Sequence, residues 1–214
     1  MNTVPGLVPG VQGSGGLANP ALCRRAGVLQ KLFRRQEGFF MIHHVSIPAS
    51  DPQHVAEVLA ELMRGKSYPF GPLEGAFMAA SGDEHGTMIE VYPDRATLDI
   101  PSNGDQVVFG NNAAPPHTWP FHVFLSVPRE PDEIERIGAR EGWHAQTYGR
   151  GMQGHEPFFH VIEFWLENRL MIEVVSPAMA REYQDFVKNA GTKMRSDPEA
   201  LRLMRATHIA QPAA

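Results

Sequence analysis

Two stretches of this chain carry nearly the same pattern of apolar and polar positions. Gly86 to Pro93 reads Gly-Thr-Met-Ile-Glu-Val-Tyr-Pro, and Arg169 to Pro177 reads Arg-Leu-Met-Ile-Glu-Val-Val-Ser-Pro. Each is a β-strand by composition, with one carboxylate, Glu90 or Glu173, set among apolar residues. Side chains alternate faces along a strand, so Glu173 shares a face with Met171 and Val175 while Ile172 and Val174 take the other. A lone carboxylate on a buried strand face is costly unless a partner or a metal takes up its charge.

The pattern upstream of each stretch also repeats. Ile42 to Ile47 has strand composition, and Ser50-Asp51-Pro52 marks a helix start with proline in the first turn. Val55, Val58, Leu59 and Leu62 recur at helical spacing as far as Arg64, and Gly65 ends the run. The Pro69–Pro72 turn, a strand over Ala76–Ala80, a turn at Ser81–Glu84 and the Glu90 strand complete the unit. Residues 95–119 read as an irregular connection with one short strand, Gln106–Phe109. The order then begins again. It runs through a strand over Phe121–Val127, a helix opened by Glu130-Pro131-Asp132 and closed by Gly142, and strands over Trp143–Tyr148 and Phe158–Trp165. A Glu167-Asn168 turn leads into the Glu173 strand.

These elements predict an α+β protein made of two tandem β-α-β-β-β modules, over about 41–94 and 120–177. A duplicated unit has a sheet face that it covers with its copy. His44-Val45 corresponds to His122-Val123, and Glu90 to Glu173, so four polar residues fall on equivalent positions. By strand parity His44 lies with Ile42 and Ser46, leaving Val45 and Ile47 to the helices. His122 lies with Phe124 and Ser126, leaving Val123, Leu125 and Val127 behind. The neighbouring His43 faces the other way and is expected to bond to backbone.

The two ends differ from this body. Residues 1–40 combine Gly/Pro-rich sequence with a basic piece carrying Arg24, Arg25, Lys31, Arg34 and Arg35. They read as a flexible extension ahead of Met41, in preference to a targeting peptide or a basic arm. Residues 178–214 form a helical tail: Ala178–Asn189 has helical composition, and Ser196–Glu199 resembles a capping box ahead of Leu201, Leu203 and Met204.

Charge and cysteine usage narrow the function classes. A net charge of −5 offers no basic stripe for a nucleic acid. No uninterrupted apolar run nears the roughly 20 residues that span a bilayer. The single cysteine, Cys23, cannot form an internal disulfide, so a soluble, cytoplasmic protein is expected.

Two β-α-β-β-β modules, with a histidine on the first strand and a glutamate on the last strand of each, resemble the vicinal oxygen chelate superfamily. It includes glyoxalase I, methylmalonyl-CoA epimerase, extradiol dioxygenases and the fosfomycin and bleomycin resistance proteins. The resemblance covers about residues 41–177. It implies a curved mixed sheet around a cavity, with a divalent metal (Zn, Ni, Co, Fe or Mn) on His44, Glu90, His122 and Glu173. Two imidazoles and two carboxylates suit such a borderline cation.

The resemblance implies a metal-dependent glyoxalase-like lyase or isomerase, acting on a small oxygenated substrate held through vicinal oxygens. Glu173 or Glu90 would then move the proton. The alternatives are a ring-cleaving extradiol-type dioxygenase, or a metal-free small-molecule binding or resistance protein. The duplication leads us to expect a homodimer.

Beyond these four residues the sequence offers weaker candidates. His160 and Glu163 fall on opposite faces of one strand, so only one of them enters the cavity. Tyr92, Phe124, Phe164, Trp165 and Met171 are candidate pocket residues or core. Arg150 and Arg169, near strand ends, are candidate carboxylate partners. Gly149–Gly154 lacks the strand and helix context of a phosphate loop.

Overall fold

A computed structural model of the chain describes residues 41–101, 106–151, 155–191, 197–199 and 202. The expectations for residues 1–40, and those for Ser196, Leu201, Leu203 and Met204, lie outside the described residues.

The first module runs β1 (His44–Ala49), α1 (Pro52–Met63), β2 (Lys66–Pro69), β3 (Phe77–Ala80) and β4 (Met88–Pro93). Its sheet has the order β1-β4-β3-β2, with β1 parallel to β4 and the other pairs antiparallel. The Asp51 side chain accepts from the His54 amide and Pro52 sits in the first turn, as the sequence indicated. Arg64 takes the left-handed cap at φ 56°. Gly65 serves a different need. A Cβ there would lie 1.9 Å from the Ala80 carbonyl oxygen, so only glycine lets the helix end turn in beside β3. The β2 strand was not assigned from sequence. It is a short, mostly exposed edge strand whose Lys-Ser-Tyr-Pro composition carries no strand signal.

Between the modules, β5 (Ala96–Asp99) and β6 (Val108–Asn111) pair as an antiparallel two-stranded sheet. This corrects the reading of one short strand in an irregular connection. Phe109 of β6 packs edge-on to Tyr92 of β4, with ring centroids 5.8 Å apart. That contact lays the hairpin over the face of the first sheet turned away from α1.

The second module repeats the order: β7 (Phe124–Ser126), α2 (Pro131–Glu141), β8 (Ala145–Arg150), β9 (Phe159–Leu166) and β10 (Leu170–Val175). Its sheet order, β7-β10-β9-β8, is the same as the first once the copies are overlaid. β7 is shorter than the expected Phe121–Val127, and His122 stands just before it. The Glu133 side chain accepts from the Glu130 amide at the start of α2, and Gly142 closes the helix at φ 69°. In place of the single curved mixed sheet expected, each module builds a four-stranded mixed sheet of its own, with β1 and β7 at their edges.

α3 (Pro177–Phe186) follows β10, capped by Ser176, whose hydroxyl accepts from the Met179 amide. Tyr183 packs on Phe124 at 4.4 Å and edge-on to Phe159 at 5.3 Å. Parity puts both partners on the face of Glu173. The helix therefore covers part of that face, as the hairpin does in the first module.

One core runs through both modules. Ile47, Val55, Leu59, Leu62, Ile89 and Val91 join Ile134, Ile162, Phe164, Ile172 and Val174, all buried. Polar contacts join the modules at the β9–β10 turn. Glu167 accepts from the amides of Ser50 and Asp51, each at 2.7 Å, so its carboxylate sits at the N-terminus of α1. Arg169 bonds Asp94 at 2.8 Å, the Ser50 hydroxyl and the carbonyls of Pro116 and His117, and lies over the Trp119 ring. On the helix side Arg140 pairs with Glu61 at 2.7 Å, and His54 with Glu141 at 2.8 Å. Among the described residues no helix is long and apolar enough to cross a membrane.

Candidate functional site

The strand faces read from sequence match those of the structure. Ile47 and Ala49 of β1 and Ile89 and Val91 of β4 are buried against α1, so His44, Ser46, Glu90 and Tyr92 share the opposite face. His43 donates through Nδ1 to the His85 carbonyl oxygen at 2.7 Å, which is the backbone-bonded role expected of it.

Glu90 is 8% exposed, a strand carboxylate nearly removed from water. Its Oε2 accepts from the Ser46 hydroxyl at 2.7 Å and the Tyr92 hydroxyl at 2.6 Å. Both bonds follow from register: Ser46 is the direct parallel neighbour of Glu90, and Tyr92 is two residues along the same strand. The other oxygen, Oε1, lies 4.0 Å from Nε2 of His44. Burial, followed by the bond to Glu90, raises the Tyr92 pKa above its usual value, so the phenol stays a neutral donor at pH 7.

The second module repeats the pair at nearly the same separation. Nε2 of His122 lies 3.9 Å from Oε2 of Glu173. The surroundings differ. Oε1 of Glu173 accepts from Arg150 through Nε at 3.0 Å and Nη2 at 2.8 Å, and the same Nη2 donates to Glu163 at 2.8 Å. Desolvation alone would lower the Arg150 pKa, but the bonds to Glu173 and Glu163 outweigh it and raise it. Glu163 is the member of its strand that reaches this face. His160 turns to Glu182 of α3, 3.0 Å away.

Two clefts open beside these strands, one lined by the Ser46 and Tyr92 that hold Glu90 and the other by His44. One of about 400 Å³ is lined by Ser46, Pro48, Tyr92, Leu98, Trp119 and Phe121, among others. It lies between the first sheet and the β5–β6 hairpin. The second, of about 460 Å³, lies between the edge strands, where His44 and His122 both line it beside Ile42, Met88 and Phe124. Neither Glu90 nor Glu173 lines either cleft.

The four residues expected to hold a metal thus stand as two His–Glu pairs. Among the described residues no three His, Cys, Asp or Glu side chains are grouped to hold a metal ion. The donor chemistry agrees. Glu173 is already bonded to a guanidinium, whose positive charge repels a second cation at that carboxylate. As arranged here, the set does not fit a single four-ligand centre.

Sequence reasoning missed Ser46 as a partner of Glu90, and Glu163 as a partner of Arg150. Both are register neighbours, Ser46 of Glu90 and Glu163 of Glu173. Laying the strands side by side finds them, whereas reading each strand alone does not.

Each half pairs its first strand parallel to its last and builds the same four-strand order. This is the arrangement that the resemblance to the vicinal oxygen chelate superfamily implies. Comparison with solved structures finds similar chains. A glyoxylase/bleomycin resistance protein/dioxygenase domain from Frankia sp. EAN1pec is 16% identical, with 64% of this chain and 97% of that one covered and a TM-score of 0.41. A glyoxalase/bleomycin resistance protein/dioxygenase from Alicyclobacillus acidocaldarius is 15% identical, with 70% and 98% covered and a TM-score of 0.37. No family model matches the chain, and no curated protein matches it.

Proposed function

We propose that the first module is the working half, and that it moves a proton on a small oxygenated molecule in a lyase or isomerase reaction of the glyoxalase type. The observation that carries this reading is the state of Glu90. One carboxylate oxygen is fixed by two hydroxyls, and the other is left with no donor closer than His44 at 4.0 Å. A general base needs a held carboxylate with one lone pair available, in a site from which water is largely excluded.

The groups take distinct roles. Glu90 Oε1 removes a proton from a carbon next to a carbonyl, leaving an enediolate and a neutral carboxylic acid. The same oxygen returns the proton to the neighbouring carbon. Tyr92 and Ser46 hold the carboxylate in place. His44, half exposed on the same face, is the group placed to donate to a substrate oxygen. Tyr92, Trp119, Phe121 and Pro48 give the adjoining cleft the walls for the rest of the molecule. A divalent metal on all four expected ligands is not part of this reading, because Arg150 holds Glu173.

Dihydroxyacetone, which has vicinal oxygens and exchangeable C–H bonds, is the probe. Incubated with the protein in D₂O, it should lose C–H intensity in proton NMR faster than in buffer. Glu90→Gln should return that rate to background while leaving the fold intact by circular dichroism. Wild-type and Glu90→Gln proteins exchanging equally would contradict the assignment.

A further inference from the structure

The two copies differ in the register neighbours of their glutamates: the parallel neighbour is Ser46 in one and Phe124 in the other, and the antiparallel neighbour differs as well. Opposite Glu90 on the neighbouring antiparallel strand is Met78, whereas opposite Glu173 is Glu163. Two carboxylates facing each other across a strand pair repel, and the penalty grows as water is removed. Glu173 has a side chain 13% exposed and Glu163 one 23% exposed, so a cation is required between them. In metal proteins a divalent ion serves that need.

Here a side chain does. Arg150, at the end of β8, reaches across β9 to β10. Its Nη2 bridges Oε1 of Glu163 and Oε1 of Glu173 at 2.8 Å each, and Nε adds a second bond to Glu173 at 3.0 Å. The planar guanidinium offers these donors in a fixed fork that a lysine lacks. Trp165 Nε1 donates weakly to the other oxygen of Glu163 at 3.4 Å.

We propose that Arg150 is a built-in cation occupying the place between Glu163 and Glu173 that a divalent metal would need, so that the second module excludes metal. The His122–Glu173 pair then survives as the geometric copy of His44–Glu90 without its ligand capacity. This inference stands whether or not Glu90 moves a proton, since it concerns a different carboxylate pair.

Isothermal titration of the chelator-treated full chain with Zn²⁺ tests it. In the wild type, His122→Ala should leave zinc stoichiometry and affinity unchanged. Arg150→Met removes the charge while keeping most of the side-chain length. It should gain one zinc per chain that the wild type does not bind, weakened at least about tenfold by adding His122→Ala. Two results would overturn the proposal. One is a stoichiometric wild-type zinc lost in His122→Ala. The other is an Arg150→Met protein that is folded by circular dichroism and gains no zinc. Should Arg150→Met fail to fold, the wild-type and His122→Ala titrations decide alone: equal titrations support the proposal and loss of zinc refutes it.

Discussion

At the scale of single residues the account rests on how charge is compensated. Glu90 is held by two hydroxyls, and hydrogen bonds to a charged group contribute about 1.5–3 kcal/mol each. Tyr92→Phe removes the 2.6 Å bond and leaves a nearly buried carboxylate with one donor. Urea unfolding should show a loss of about 1–3 kcal/mol, with Ser46→Ala and Tyr92→Phe together costing more than the sum of the two, because the second loss leaves Oε2 bare. Asp83 shows the same chemistry at a turn. Hydrogen bonds from Thr87, chiefly from its side chain, lower its pKa from the ordinary 3.8 to about 2. A depressed carboxylate pKa adds stability above the unfolded value, and that stability is lost as pH falls through the folded one. Asp83→Asn should therefore melt below the wild type at pH 5–7, and the gap should close as pH drops from about 4 through 2. A gap of constant size across that range would remove the charge as its cause.

The elements show which residues could be read in advance. Alternation alone placed His44, Glu90 and Glu173 on the face away from the helices, because Ile47, Ile89, Ile172 and Val174 announce the buried side. The β2 strand, with Lys66 and Tyr68 exposed at an edge, has no such signal, and it forms because the helix end delivers it beside β3. β5 was hidden for another reason: Ala96-Thr97-Leu98-Asp99 alternates, but four residues are too short a run to stand out without the partner strand β6 beside it. Arg150 and Arg169 were legible as possible carboxylate partners, but their targets come from strands distant in sequence.

Packing between elements gives two tests. Gly138 in α2 has no room for a side chain, since a Cβ would stand 2.4 Å from that of Ala145 and 3.3 Å from Phe164. Alanine gains about 1 kcal/mol in helix propensity, but overpacking against these atoms costs about 1–3 kcal/mol. Gly138→Ala should thus lower the melting temperature by a few degrees; an increase would mean that α2 can move away from β8. Tyr183→Ala takes the aromatic cover off Phe124 and Phe159. It should destabilise by about 1–3 kcal/mol and leave proton exchange at Glu90 unchanged, as α3 covers the other module.

Across the whole described body, the copies are joined by a few polar contacts and a shared core. Arg169 is the centre of the first set, pairing with Asp94 while bonding two loop carbonyls and covering Trp119. Arg169→Met leaves Asp94 without its cation in a largely buried place, and about 3 kcal/mol is the expected cost. At roughly 2–4 °C per kcal/mol that is a fall of about 6–12 °C in melting temperature.

The duplication preserved the two His–Glu separations, 4.0 and 3.9 Å, while Met78 in one copy and Glu163 in the other changed what the glutamate can do. That divergence is the central claim, and the histidines test it because neither is hydrogen-bonded to its glutamate. Deuterium exchange into dihydroxyacetone should fall at least about tenfold in His44→Ala and stay at the wild-type rate in His122→Ala. Equal losses in both variants, or a loss in His122→Ala alone, would contradict a first module that works without the second.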